Sequence, residues 1–154
     1  MSDEQQQQPT FSIEKIYVKD ASLEIPHAPQ IFIQSEAPQV NVQLYNLSAM
    51  VEEGIHEVVL TVTVTAKQAD DKTVFLVEIG QAGIFQVRNI PQGDLGPILG
   101  ITCPNILFPF AREAISDLVT RAGFPPMLLS PVNFEALYQQ QSQAEQEAGA
   151  AVAH

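Results

Sequence analysis

The sequence predicts an α+β protein in which a four-stranded antiparallel sheet is followed by helices packed on one of its faces. Two observations predict this class. In the first half of the chain, apolar and polar residues alternate over four segments, as they do in strands with one covered and one wetter face. Helical spacing of the apolar residues begins only near Ile106. Strands and helices that are segregated in this way are typical of α+β domains.

The four predicted strands are extended segments rich in β-branched and aromatic residues. The first runs from Phe11 to Ile25, and an irregular, proline-containing crossover separates it from the second, over residues 39–47. The third, Ile55 to Lys67, has the clearest alternation. A hairpin loop joins it to the fourth, which runs from Thr73 to Gln81.

Successive side chains of a strand point to opposite faces, so counting in twos assigns each residue to a face. One face of the first strand then carries Ile16, Val18, Asp20, Ser22 and Glu24. The opposite face carries Phe11, Ile13, Tyr17, Ala21, Leu23 and Ile25. In the fourth strand the outward face carries Val74, Leu76 and Glu78. Exposed hydrophobic residues beside a carboxylate are unusual for a solvated surface.

The second half of the chain contains the predicted helices. Glycine and proline at short intervals predict a loop over residues 88–104, with at most a short helix. Helical spacing continues through residues 109–121, and Gly123 with the prolines at 125 and 126 ends it. A last helix begins near Asn133, because asparagine is a good N-cap residue.

Both ends of the chain are low in apolar residues, whereas the middle holds enough for one core. We expect a flexible polar N-terminus over residues 1–9, a single domain over residues 10–140, and a low-complexity, disordered tail over residues 141–154. Segments made of Gln, Ala and Glu bury too little apolar surface to offset the entropy of ordering them.

Eighteen acidic residues against seven basic ones give the chain a formal net charge of −11. A surface this negative repels phosphate groups, which argues against nucleic acid and anionic membranes and favours a basic protein partner. No apolar run approaches the ~18–20 residues of a spanning helix, and the N-terminus does not resemble a secretory signal. A single cysteine agrees with a reducing compartment. We therefore expect a cytoplasmic protein.

The sequence contains no convincing catalytic or metal-binding motif. Cys103 lies just before a predicted helix, which could lower its pKa, but no histidine is a good partner by context, and free cysteines are commonly buried. One cysteine and three histidines match no metal-ligand spacing. Gly80 and Gly83 lack the lysine and hydroxyl residue of a phosphate-binding loop. We expect no enzyme, cofactor or metal.

The stretch from Ile106 to Val119 is hydrophobic over most of the circumference of its predicted helix. Such a helix in a small protein usually needs cover on two sides. One side packs on the sheet, and a second copy of the chain covers the other; the alternative is a helix central to its own core. The candidates for contact between copies are Ile106, Phe110, Ile115 and Leu118.

Five segments, in this order, resemble the SecB family of protein-export chaperones: FSIEKIYVKDASLEIPHAP, EVVLTVTVTA, FLVEIGQAGIF, CPNILFPFARE and FPPMLLSPVNFEALY. The resemblance covers about residues 10–140. It implies a homotetramer that is a dimer of dimers. It also implies an ATP-independent holdase that binds unfolded secretory precursors in the bacterial cytoplasm and delivers them to SecA, the motor ATPase of the Sec translocase.

The same resemblance implies two binding surfaces. SecA is expected to dock on the exposed sheet through Asp20, Glu24, Leu76 and Glu78. Clients are expected in an apolar groove formed by the second strand, the crossover and the last helix, at Val40, Val42, Leu44, Leu137 and Tyr138. Family members commonly place an aromatic residue in the crossover, where this chain has only Phe32.

Two other kinds of function stay open. A small-molecule binder or enzyme built on an α+β oligomer would need a closed pocket with convergent polar groups, for which no residue is an obvious candidate. A general cytoplasmic chaperone, or an antitoxin-linked relative, would use the same groove without SecA. The presence of all four residues of the implied SecA site argues against this last reading.

Overall fold

The computed structural model describes residues 8–34 and 36–153. Its strands are β1 (Thr10–Glu24), β2 (Gln39–Glu52), β3 (Ile55–Lys67) and β4 (Thr73–Arg88). Its helices are α1 (Gln92–Pro97), α2 (Cys103–Arg121) and α3 (Phe134–Ala153). A short 3-10 helix lies in the crossover at Gln30–Phe32, and a π-helical turn, Ile98–Thr102, joins α1 to α2.

The strands form one antiparallel sheet in the order β1-β4-β3-β2. Hairpins connect β2, β3 and β4, and the crossover carries the chain from β1 at one edge to β2 at the other. Helix α2 lies against β4 and β3, on one face of the sheet. The α+β prediction, with helices on one face of a four-stranded antiparallel sheet, is confirmed.

The core lies between β3, β4 and α2. The inward residues of β3 are fully buried, namely Val58, Leu60, Val62, Val64 and Ala66. Helix α2 meets them with residues spaced about four apart, which share one side of a helix: Cys103, Leu107, Ala111, Ile115 and Val119. Burial of each large aliphatic side chain stabilises the fold by about 1.5–3 kcal/mol.

Strand β4 is longer than predicted, since it continues past Gly80 and Gly83 to Arg88. Gly83 does not end the strand but allows close packing within it. A Cβ atom there would lie 2.7 Å from the Phe85 ring and 3.1 Å from Leu107. The predicted end of the strand at Gln81 was therefore wrong. Val74 was also placed wrongly, because it is buried rather than outward-facing.

The loop predicted over residues 88–104 is largely helical, because α1, the π-helical turn and α2 follow one another without a break. Two of its three glycines, Gly96 and Gly100, serve packing against α3. A Cβ atom at Gly96 would lie 2.6 Å from the Tyr138 hydroxyl oxygen, and one at Gly100 would lie 2.4 Å from the Tyr138 ring. The small residues that suggested a loop thus make room for an aromatic side chain.

Helix α3 begins as predicted, with the Asn133 side-chain oxygen accepting a hydrogen bond from the Ala136 backbone N–H (3.0 Å). The helix continues to Ala153, so the described part of the predicted disordered tail is helical. Ala, Gln and Glu are strong helix formers, which explains why the helix continues beyond Tyr138, where the sequence offers no apolar face. Most of the N-terminal segment 1–9 lies outside the described residues.

Candidate interaction surfaces

Two β-bulges decide which side chains β1 presents to each face of the sheet. The register with β4 shifts between Ile13 and Lys15, and again between Val18 and Asp20. Each extra residue reverses the alternation of side chains. Val18 therefore lies on the helix-covered face, and Tyr17 shares the opposite, outer face with Asp20. This corrects the uninterrupted count, which put Val18 with Asp20.

A buried amide supports the second bulge. Gln81 of β4 is buried, and its Nε2 atom donates a hydrogen bond to the Tyr17 backbone carbonyl (3.1 Å). A bulge leaves backbone groups without ladder partners, and a side chain that binds one of them offsets that loss. The sequence pattern contained no sign of this contact, because it joins residues far apart in the chain.

The four residues of the implied SecA site lie together on the outer face, and we call them the acidic corner: Asp20, Glu24, Leu76 and Glu78. The register pairs Glu24 with Leu76, and it pairs Glu78 with Ser22, the residue between the two acids on that face. Residues directly opposite in an antiparallel pair have Cβ atoms about 5 Å apart. The structure therefore brings together side chains from two strands distant in sequence. Their role in binding stays a prediction.

The negative charge of the acidic corner is not balanced within the chain. Among residues 8–34 and 36–153, no lysine or arginine forms an ion pair with Asp20, Glu24 or Glu78. The Thr63 hydroxyl donates a hydrogen bond to Glu78 Oε1 (2.8 Å), which orients this carboxylate without neutralising it. Such a cluster attracts cationic groups of a partner.

The lysine beside the corner is engaged elsewhere. Lys19 Nζ lies 2.8 Å from Glu57 Oε1, and the Tyr17 hydroxyl donates a hydrogen bond to the other oxygen of the same carboxylate. The hydrogen bond from Lys19, together with that from Tyr17, lowers the pKa of Glu57. The bond to Glu57 raises the pKa of Tyr17 to about 12. Lys19 therefore pairs with Glu57 and leaves the acidic corner uncompensated.

An apolar groove of about 590 Å3 lies on the other side of the molecule, between the crossover, the start of β2 and the segment that joins α2 to α3. We call it the crossover groove. Its apolar lining includes Ile31, Phe32, Val40, Phe75, Phe124, Met127 and Leu128. Phe32 is 48% exposed and Leu128 82% exposed, so large apolar side chains face solvent here.

Three aromatic rings, tilted against one another, form one wall of the crossover groove. The ring centroid of Phe124 lies 5.2 Å from that of Phe32 and 4.9 Å from that of Phe75. Gly123 ends helix α2 with a φ of +97°, and a Cβ atom there would lie 3.2 Å from the Phe32 ring. Glycine thus permits both the turn and the close approach of the crossover.

The five predicted groove residues fall into two places. Val40 lines the crossover groove, whereas Leu44, Leu137 and Tyr138 meet around a cavity of only about 10 Å3 between β2 and α3. Val42 lies between them on the same face of β2, because its register partner is the inward-facing Val64. The five therefore follow one continuous side of the molecule, but Leu44 and Leu137 are partly buried and pack against the core.

Sequence reasoning missed the segment that forms the far wall of the groove, which includes Phe124, Met127 and Leu128. A signal was present. The stretch FPPMLL, residues 124–129, is apolar although its prolines forbid a regular helix. An apolar run inside a predicted loop needs either burial or a partner.

The candidates for contact between copies separate into two groups. Ile115 is fully buried between α2 and the sheet, so its assignment to such a contact was wrong. It shares the sheet-facing side of the helix with Ala111 and Val119, four residues away on either side. Phe110 is 48% exposed, and Ile106 and Leu118 are half-buried. Only these three are accessible to another chain.

The structure places Cys103 in the core. It is fully buried, and burial raises the pKa of its thiol to about 12, which opposes a nucleophilic role. Within the described part of the chain, no group of three or more His, Cys, Asp or Glu residues could hold a metal ion. No helix in that part is long and apolar enough to cross a membrane.

Comparison with known proteins gives a consistent result. The family model described as preprotein translocase subunit SecB matches residues 4–145. Protein-export protein SecB of Methylobacillus flagellatus is 70% identical over 97% of this chain and 95% of its own length. The Chromobacterium violaceum protein of the same name is 60% identical over 97% of this chain and 99% of its own.

A solved structure shares the fold. The SecB-like chaperone of Mycobacterium tuberculosis, in complex with a ChAD peptide from an antitoxin, superposes with a TM-score of 0.66. The alignment covers 79% of this chain and 90% of that one, at 16% sequence identity.

Proposed function

The chain belongs to the SecB family of protein-export chaperones, and on that premise we propose that it is an ATP-independent holdase that binds unfolded secretory precursors and delivers them to SecA. Members of this family are chaperones, not enzymes. The observation that carries the proposal is the crossover groove, where large apolar side chains stay exposed beside a free sheet edge.

The groove suits an unfolded client for two physical reasons. Its exposed apolar lining can accept many different side chains, because apolar contact does not depend on a specific pattern of polar groups. Strand β2 is an edge of the sheet in the single chain, so its outer backbone groups are free to pair with an extended segment. In this proposal Val40 and Val42 contact clients directly.

Delivery would use the opposite side of the molecule. The acidic corner lies on the outer face of the sheet, away from the helices, so SecA could dock while a client stays bound. Its uncompensated carboxylates favour a basic segment of SecA, and Leu76 adds an apolar contact among them. In this proposal SecA binds the acidic corner and clients bind the crossover groove, so the two partners do not compete for one surface.

We also propose a homotetramer, a dimer of dimers, with Ile106, Phe110 and Leu118 of α2 in contacts between copies. An apolar residue as exposed as Phe110 in the middle of a helix is well suited to such a contact. Four grooves on one particle would bind one long unfolded chain with avidity, without strong single contacts. The cytoplasm, where precursors await export, is the proposed location.

Native mass spectrometry tests the holdase proposal. The protein is mixed with a reduced, slow-folding secretory precursor, and with the folded form of the same protein as the control. We expect a species near four times 16.8 kDa that takes up the unfolded chain only. A monomer that ignores unfolded chains would contradict both the assembly and the holdase activity.

A second candidate follows from the Mycobacterium tuberculosis structure, in which a SecB-like chaperone holds an antitoxin peptide. A chaperone of that kind would need no SecA. The high identity with relatives named for protein export favours the Sec pathway instead. Binding of SecA to the purified protein separates the two candidates.

A further inference from the structure

Next to the acidic corner, the outer face of the sheet contains a shallow depression of about 520 Å3. Glu78 and Tyr45 stand on either side of it, and Thr61, Thr63 and Gln43 complete its polar lining. The register explains the hollow, because Thr63 lies opposite both Glu78 and Gln43, and Thr61 lies opposite Tyr45. Two short threonine side chains in the middle strand thus separate two longer side chains on its neighbours.

The two long side chains offer complementary attraction for a cation. Thr63 binds one oxygen of the Glu78 carboxylate, which leaves the other oxygen available to a ligand. Tyr45 is 58% exposed, and its ring stacks on no other aromatic ring within the described residues. A carboxylate attracts a cation by charge, and the face of an aromatic ring attracts it through the ring quadrupole.

We propose that this depression binds an arginine or lysine side chain of a protein partner, with the cation held between the Glu78 carboxylate and the Tyr45 ring. The inference rests on the proposed docking of SecA at the acidic corner. It adds a residue of β2 to that site and specifies the chemistry that Tyr45 recognises. A purely apolar ligand would fit less well, because it would desolvate Glu78 and the threonine hydroxyls without replacing their hydrogen bonds.

The surroundings strengthen the preference for a cation. Asp20 lies in the same row across the sheet as Tyr45, connected through Gly80 and Thr61. Since Asp20 has no ion pair among the described residues, it adds to the negative potential over the depression. A basic side chain entering here would therefore meet negative charge on one side and an aromatic face on the other.

Substitutions at Tyr45 test the proposal, with SecA affinity measured by isothermal titration calorimetry. We expect Tyr45→Leu to weaken binding about threefold to fivefold, the usual size of an exposed cation–π contact. We expect Tyr45→Phe to bind like the unchanged protein, because it retains the ring. In a double-mutant cycle, Glu78→Gln and Tyr45→Leu should together cost less than the sum of their separate effects.

Met50→Leu is the matched control, since Met50 lies on the same strand and is 67% exposed but faces the other side of the sheet, opposite His56. Tyr45 and Met50 are exposed and Glu78 is half-buried at the surface, so the fold should tolerate each change. Equal weakening by Tyr45→Phe and Tyr45→Leu would overturn the proposal, because the hydroxyl rather than the ring would then be the contact. The proposal would also be overturned if Tyr45→Leu lost client binding while its SecA binding stayed unchanged.

Leu76→Arg, in the acidic corner, separates failure of this inference from failure of the proposed function. If Leu76→Arg abolishes SecA binding while both Tyr45 variants bind normally, only the role of Tyr45 is wrong. If Leu76→Arg itself retains full SecA affinity, docking at the acidic corner is wrong, and the inference falls with it.

Discussion

The two faces of the sheet differ in how completely their side chains are buried. On β3, every residue from Val58 to Ala66 that points toward the helices is fully buried. The threonines between them point outward and are only partly covered. The helix-covered face specifies the fold through shape and apolar area, whereas the outer face is free to carry charge. The surfaces proposed for recognition therefore lie where the sheet is not fully covered by helices.

The crossover groove lies at the edge of the helix-covered face, where the cover is incomplete. Val40 and Val42 belong to the inward face of β2 by register, yet no helix covers them as completely as their neighbours on β3. The acidic corner, by contrast, lies on a face that never enters the core. One surface is an extension of the core that stays open, and the other is a solvated surface with aligned carboxylates.

The largest expected effect comes from exchanging a core residue for a smaller one. Leu60→Ala should lower the free energy of unfolding by about 2–5 kcal/mol, because it leaves a cavity in the fully packed face. Thr63→Ala, on the outer face of the same strand, should cost about 1 kcal/mol or less, through loss of its hydrogen bond to Glu78. Urea denaturation of both variants measures the difference. Similar losses for the two would remove the contrast between the faces.

The contrast between faces also explains what could be predicted from the sequence. The bounds of β3 were predicted correctly because its alternation is uninterrupted. The faces of β1 were partly wrong, since its bulges add residues that leave no trace in the apolar pattern. The continuation of β4 was missed because Gly83 fits a tertiary contact with Phe85 and Leu107, which a sequence pattern cannot show.

The candidate sites divide in the same way. The residues of the acidic corner were identified through family resemblance, and their meeting on one face depends on a register between β1 and β4 that local sequence does not determine. The lysine beside them was not recognised as the partner of Glu57, because that pair joins residues 38 positions apart. Phe124 and Leu128, in contrast, were missed although the sequence carried a signal for them, since they are apolar residues in a predicted loop.

A reciprocal pair of substitutions sharpens the comparison between the two surfaces. Leu76→Arg should weaken SecA binding about tenfold or more and leave client affinity unchanged, because it places a cation where we propose that a basic segment of SecA docks. Leu128→Glu should weaken client binding about tenfold and leave SecA affinity unchanged, because it charges the wall of the crossover groove. Fluorescence anisotropy with SecA and with an unfolded precursor measures both. A variant that loses both activities would indicate misfolding or coupled surfaces.

The smallest effect concerns the pair that isolates Lys19 from the acidic corner. Because Lys19 and Tyr17 lower the pKa of Glu57 in the folded chain, the ionised Glu57 stabilises the fold above the ordinary glutamate pKa of about 4.3. This contribution is lost as the pH falls from that value through the lower folded pKa. Since Lys19 is half exposed, solvent screening limits the effect to less than about 1 kcal/mol.

Glu57→Gln should therefore flatten the acid side of the stability profile without changing stability contributed by the apolar core. Thermal unfolding followed by circular dichroism between pH 3 and pH 7 measures the slope, with Glu53→Gln in the exposed turn after β2 as the matched control.

The Glu57→Gln substitution also frees Lys19, which lies beside Asp20, from its ion pair. If the outer face recognises basic groups by its net negative charge, Glu57→Gln should in addition weaken SecA binding slightly, and more at low salt than at high salt. Unchanged SecA binding at every salt concentration would mean that local contacts, rather than the field of the whole face, select the partner.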